Sequence, residues 1–205
     1  LILTDELGVQ LFTGRLPKDP TYCSALPQFG DFATLFPEPE KKRSNTEMVG
    51  IKVGKSIGEL YPIDGNDREG NCTCAGALHA GTLLAGLTGQ VIIPTAQNAL
   101  DLYHSLGGRG MSGLMLKTVV QRWYQGFYGL EPILGAINID PSNHKSIRQA
   151  IQFLGGLYIG FATTGRTVSD FQGGGIWTTD AREDGGGHCV WVSSYDDYIG
   201  HTKSL

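Results

Sequence analysis

The chain has 205 residues, enough for one domain with a real core, and its 40% hydrophobic and 18% charged residues are a globular balance. A net charge of −4 leaves no electrostatic footprint for a nucleic-acid partner, and no apolar run reaches the roughly 18 residues of a membrane span. Thirty glycines, many paired or tripled but without a three-residue period, exclude collagen and imply tight turns and close backbone contacts.

The N-terminus shows neither an initiator methionine nor a basic region followed by an apolar core, so a processed or incomplete chain is expected. Residues 1–46 carry Pro17, Pro20, Pro27, Pro37 and Pro39, which break regular elements. This reads as an extended arm or leader before a domain over 47–205, and as a candidate surface for self-association. Glu40-Lys41-Lys42-Arg43 within it is a solvated linker. Met48–Val53 has strand composition, and Tyr61–Asn71 is a polar, glycine-containing loop. Cys72–Leu87 is apolar and rich in Ala and Gly, a buried helix that Asn71 or Thr73 could cap. Helices follow over Thr95–Leu106, capped by Thr95 and stopped by Gly107-Gly108, and over Ser112–Phe127.

The pattern then changes. Pro132–Ile139 reads as a strand, Ser142–Leu154 as a helix capped by Ser142, and Leu157–Ala162 as a strand. A loop containing Gly173–Gly175 and Gly185–Gly187 leads to a strand over His188–Ser194, with Cys189, Trp191 and Ser193 on one face. Helices in the first half and strands in the second make the chain α+β: a helical layer with a central helix packed on an antiparallel sheet.

Two residues carry the chemistry. Cys72 opens a helix, where unpaired backbone N–H groups favour a thiolate. His188 opens a strand 116 positions later and can act as its base. The four cysteines (Cys23, Cys72, Cys74, Cys189) lack the spacing of a disulfide framework. They read as free thiols of a reducing or neutral compartment, cytoplasmic or virion-associated rather than disulfide-rich secreted. A zinc site is disfavoured: C-x-C on a helix splays its side chains by about 200°, and neighbours on a strand, as His188 and Cys189 are, face opposite ways. No cofactor is implied; Gly107-Gly108-Arg109-Gly110 lacks the Lys-Ser/Thr ending of a phosphate-binding loop. His79 is too far along the helix, about 10.5 Å of rise, to reach the Cys72 sulfur and reads as a packed or capping histidine. His144 reads as a surface first-turn residue, and Asp180, Glu183 and Asp184 as a solvated loop.

Three segments resemble papain-like cysteine peptidases, in that family's order. Asn66-Asp67-Arg68-Glu69-Gly70-Asn71-Cys72 resembles the stretch before the nucleophile, with Asn66 at the position of the side-chain amide that donates to the oxyanion, where the family usually has Gln. Asn143–Ile151 followed by Gly155–Phe161 is similar to the helix–glycine–strand unit before the catalytic histidine, and Gly187-His188-Cys189-Val190-Trp191-Val192 is similar to the histidine strand. The block Gly65-Asn66-Asp67 to His79, with the leader-like Gly14-Arg15-Leu16-Pro17, is similar to a divergent bacterial or phage branch of mostly undefined function. The family's third catalytic residue, an Asn after the histidine, has no match in the 17 residues beyond His188, and Asp196 and Asp197 are poor substitutes. That segment is expected beyond Leu205.

The resemblance implies a cysteine hydrolase acting on a peptide or isopeptide bond of a peptide or protein substrate, with catalytic Cys72, His188 and Asn66. The alternative is a catalytically inactive papain-like fold used as a structural or assembly protein. A cell-wall amidase is a more distant option, since such enzymes set their Cys and His closer together.

Overall fold

The computed structural model describes residues 2–4, 10–12, 26–173, 176–177, 186–196 and 201–204. Its strands are β1 (Ile2–Thr4), β2 (Gln10–Phe12), β3 (Lys42–Ser44), β4 (Leu157–Thr163), β5 (Gly186–Asp196) and β6 (His201–Ser204). Its helices are α1 (Asn45–Val53), α2 (Ile57–Leu60), α3 (Cys72–Thr88), α4 (Ala96–Ser105), α5 (Leu116–Trp123), α6 (His144–Leu154) and α7 (Gly165–Gln172). Strand β5 is the hub of the main sheet. It pairs antiparallel with β3, with β4 and with β6, and the β4 register runs from Leu157↔Val192 to Thr163↔Gly186.

Helix α3 is the centre of the helical layer, and every residue from Cys72 to Leu83 is buried. A helix apolar all round needs neighbours on all sides, and its glycines make room for them. A Cβ at Gly76 would lie 3.3 Å from the Tyr158 ring and 3.7 Å from Cys189 Sγ; one at Gly81 would meet Leu130 at 2.5 Å; one at Gly86 would meet Val49 Cγ1 at 2.3 Å. Steps of five residues turn the helix face by about 140°, so the glycines admit the sheet, the segment after α5, and α1 in turn. Gly86→Ala is therefore expected to destabilise the fold by about 1–3 kcal/mol. Val49 is fully buried and β-branched, so it cannot swing aside. Urea unfolding of the variant measures the loss.

The N-terminal arm, from residue 26, is bound along its length. Phe29 N–H donates to Asn138 O and Asn138 N–H to Pro27 O, at 2.8 and 2.9 Å. Phe36 stacks on Phe29 and Phe153 with centroids 5.4 and 5.5 Å apart. Gln149 Nε2 donates to the carbonyls of Ala33, Phe36 and Pro37. The arm then enters the sheet as β3.

Several elements differ from the sequence expectation. Met48–Val53 is helical, within α1, because Ser44 Oγ accepts from the Glu47 N–H and Gly54 closes the helix at φ +68°. Pro132–Ile139 is a loop: Leu134 is fully exposed, Ile133 N–H donates to Trp123 O, and Asn138 meets the arm instead of a strand. The helix expected over Ser112–Phe127 is confined to α5, and α6 is capped by Asn143, whose Oδ1 accepts from Ser146, while Ser142 turns to Asp140. Helix α4 keeps its expected Thr95 cap, reinforced by Asn98. In β5, residues 188–195 are buried on both faces: Cys189 and Trp191 lie on the α3 side as their alternation implied, and Val190 and Val192 pack in a second cluster on the other. No described helix is long and apolar enough to cross a membrane.

Candidate active site

The loop before α3 is built around a reverse turn. Asn66 N–H donates to Ile63 O at 3.0 Å, and the two central residues, Asp64 and Gly65, have φ of +55° and +75°. Positive φ at both positions is the signature of a type I′ turn, for which Asp-Gly is a preferred pair. Asn66 follows as the fourth residue of the turn and is buried. Among the described residues its buried Oδ1 has no hydrogen-bond partner. The loop's later part is tied to the helical layer. Glu69 meets His104 Nε2 at 2.9 Å, and Gly70 N–H donates to Gly110 O at 2.8 Å.

Asn71 then starts α3. Its carbonyl accepts from Cys74 and Ala75 N–H, while its side chain does not cap the helix but donates to Asp64 O at 2.8 Å. Cys72 is the first helical residue, so its own N–H lies among those the helix leaves unbonded. Two residues on, burial pushes the Cys74 thiol far up, which leaves Cys74 a neutral packing group.

The register of α3 on the sheet sets which ends meet. Gly76 sits against Cys189 and Val190; further along, Leu84 and Leu87 lie against Gly155, and Gly156 lies against Trp191 and Val192. Helix α3 and strand β5 thus run in the same direction, and the Cys72 end of the helix lies toward the His188 end of the strand. Tyr158 stitches the two layers: its hydroxyl donates to Thr73 O at 2.5 Å. Burial, aided by the Cys189, Cys74 and Cys72 thiols, holds its phenol well above the ordinary range, so it remains a donor.

His188 is buried in an apolar frame. Phe161, its partner across β4, meets the imidazole edge-to-face at 5.9 Å, and Trp177 lies 6.3 Å away. Its Nδ1 is buried and has no hydrogen-bond partner among the described residues, and the contacts to its ring there are aromatic. Burial lowers its pKa to about 4.

Cys72, His188 and Asn66 are all buried, and the direction of α3 on β5 turns the Cys72 end of the helix toward the His188 end of the strand. His79 is a packing residue, as its position on α3 implied, but with partners the sequence did not disclose: Nε2 lies 2.8 Å from Pro62 O and 3.2 Å from Asp64 Oδ2. Asp64 was missed, although Asp-Gly is a turn signal. Tyr158, Phe161 and Trp177 gave no signal beyond their apolar character. His144 is an exposed first-turn residue. Cys72, Cys74 and Cys189 are free thiols. Cys23, Asp180, Glu183 and Asp184 lie outside the described residues.

No protein-family model matches the sequence, and no curated protein matches it either. A solved structure does. Xylellain, a cysteine protease from Xylella fastidiosa, aligns over 94% of this chain and 78% of its own with a TM-score of 0.53 and 14% identity. An identity that low speaks for architecture and leaves the chemistry to the residues. A central helix packed on an antiparallel sheet is the arrangement shared at that level: this chain has the papain-like fold.

Proposed function

We propose that the protein is a cysteine hydrolase that cleaves a peptide or isopeptide bond. The observation that carries this reading is the directed packing of α3 on β5, which sets a helix-opening cysteine toward a strand-opening histidine within a papain-like fold. Cys72 Sγ attacks the carbonyl carbon as its proton passes to His188. The π electrons move onto the carbonyl oxygen, where the Cys72 N–H and the Asn66 amide donate to it. Collapse of the tetrahedral adduct expels the amine, which takes the proton from His188 and leaves a thioester. Water, deprotonated by His188, attacks the thioester, and Cys72 departs as the thiolate.

The test is alkylation of the intact protein by iodoacetamide between pH 5 and 9, with the modified cysteine mapped by mass spectrometry. The expected result is selective labelling of Cys72 at pH 5–6 that His188→Ala abolishes, followed by turnover of a fluorogenic peptide library. One observation favours a second reading, an inactive fold with an assembly role. The cysteine and the imidazole are both buried, and among the described residues no polar group holds the imidazole Nδ1. Labelling of Cys72 that follows an ordinary thiol titration, unchanged in His188→Ala, would decide for that second reading.

A further inference from the structure

Asp64 has three connections that converge on the proposed oxyanion donors. Its backbone is the first central residue of the turn that ends at Asn66, at a φ of +55° that side chains rarely adopt. Its carbonyl accepts from the side chain of Asn71, the residue before Cys72. Its carboxylate, only 2% exposed, lies 3.2 Å from His79 Nε2. The same ring nitrogen is 2.8 Å from Pro62 O. Both partners are acceptors, so Nε2 carries the proton and donates to both. His79 is buried on α3, the helix that Cys72 opens, and Tyr61 meets its ring edge-on at 5.7 Å. A side chain of the nucleophile helix thus grips the loop bearing the oxyanion amide at two points, two and four residues before Asn66.

We infer that the Asp64–His79 pair is a positioning element that fixes the Asn66 amide relative to the N-terminus of α3. This rests on the hydrolase reading. Without the grip, the turn with its unfavourable φ at Asp64 is held by its backbone bonds (Asn66 N–H to Ile63 O, Arg68 and Glu69 N–H to Gly65 O) and by the Asn71 bond, none of which ties it to the body of α3, and the amide drifts from the oxyanion. A misplacement on the order of 1 Å can cost about a hundredfold in rate. Alkylation of Cys72 is different: displacement at an sp³ carbon forms no oxyanion, so it needs no amide.

The experiment compares wild type with His79→Ala, His79→Gln, Asp64→Gly and Asp64→Asn. Gly keeps the positive φ without a carboxylate. Asn tolerates that φ and still accepts a hydrogen bond, and Gln at position 79 restores an Nε2 donor. Three readouts are taken: peptide turnover, iodoacetamide alkylation of Cys72, and hydrogen exchange of peptides covering residues 61–71. The expected result is that His79→Ala and Asp64→Gly lower kcat by about tenfold to a hundredfold. KM and Cys72 alkylation hold, exchange in the loop accelerates, and Gln and Asn recover most of kcat. Turnover and alkylation falling together in step with melting temperature would reduce the pair to a stability role and overturn the inference. So would unchanged loop exchange in both unpaired variants. If wild type neither turns over peptide nor labels selectively at Cys72, the hydrolase reading itself fails. That outcome differs from an active wild type whose kcat is indifferent to the pair.

Discussion

Lowering the pH from 7 to 4 is expected to cost the folded protein about 3 kcal/mol through His188 alone. Its imidazole titrates near 4 in the folded state because burial penalises the cation, whereas an unfolded chain titrates it near 6.5. The unfolded state therefore binds more protons between these values. Stability from this group is full above pH 6.5, is lost as the pH falls through the window, and stops changing below about 4. The proton count does not depend on where the dyad's single proton sits. A thiol with neutral imidazole and a thiolate with imidazolium each bind one proton, and it is the second that the site resists. Other groups also titrate in acid, so the diagnostic is a difference. Urea unfolding of wild type and of His188→Gln between pH 7 and 4 should give curves that diverge by about 3 kcal/mol, with the variant the flatter of the two. Parallel curves would mean that His188 is solvated in the folded protein, against the aromatic frame of Phe161 and Trp177.

How far the sequence carried depends on which interactions an element uses. Helix α3 was legible because an apolar, small-residue run from Cys72 has few other uses, and β4 and β5 were legible because β-branched and aromatic residues cluster in them. Residues 48–53 were misread because Val49, Ile51 and Val53 alternate as they would in a strand. The helix is imposed from its ends, by the Ser44 cap and left-handed Gly54. Residues 132–139 have the composition of a strand but pair with the arm instead, through Asn138 to Pro27 and Phe29, and composition carries no information about partners. The site divides the same way. Cys72, His188 and Asn66 could be named from local context and from order along the chain. The Asp64–His79 contact spans a loop and two turns of helix, and the His188 frame depends on the β4–β5 register, so both required coordinates.

Replacing Asn66 with Ala should reduce kcat by about 10²–10³, the usual effect of deleting one oxyanion donor. The side chain is suited to the role because the backbone that carries it is held by the turn and by the Asn71 bond to Asp64 O, while its Nδ2 is a neutral donor of the kind an oxyanion accepts from. An Nδ2 donor that meets the substrate oxygen acts most strongly when that oxygen gains charge in the transition state. The loss should therefore fall on kcat more than on KM, with the alkylation rate of Cys72 unchanged. Asn66→Gln should retain more activity than Asn66→Ala. It keeps the donor at the end of a chain one methylene longer, as in the peptidases this segment resembles. If Asn66→Ala turned over peptide as fast as wild type while Cys72 remained essential, the oxyanion would have to rest on the Cys72 N–H and some other donor. Asn66 would then be a buried residue of the turn without a catalytic role.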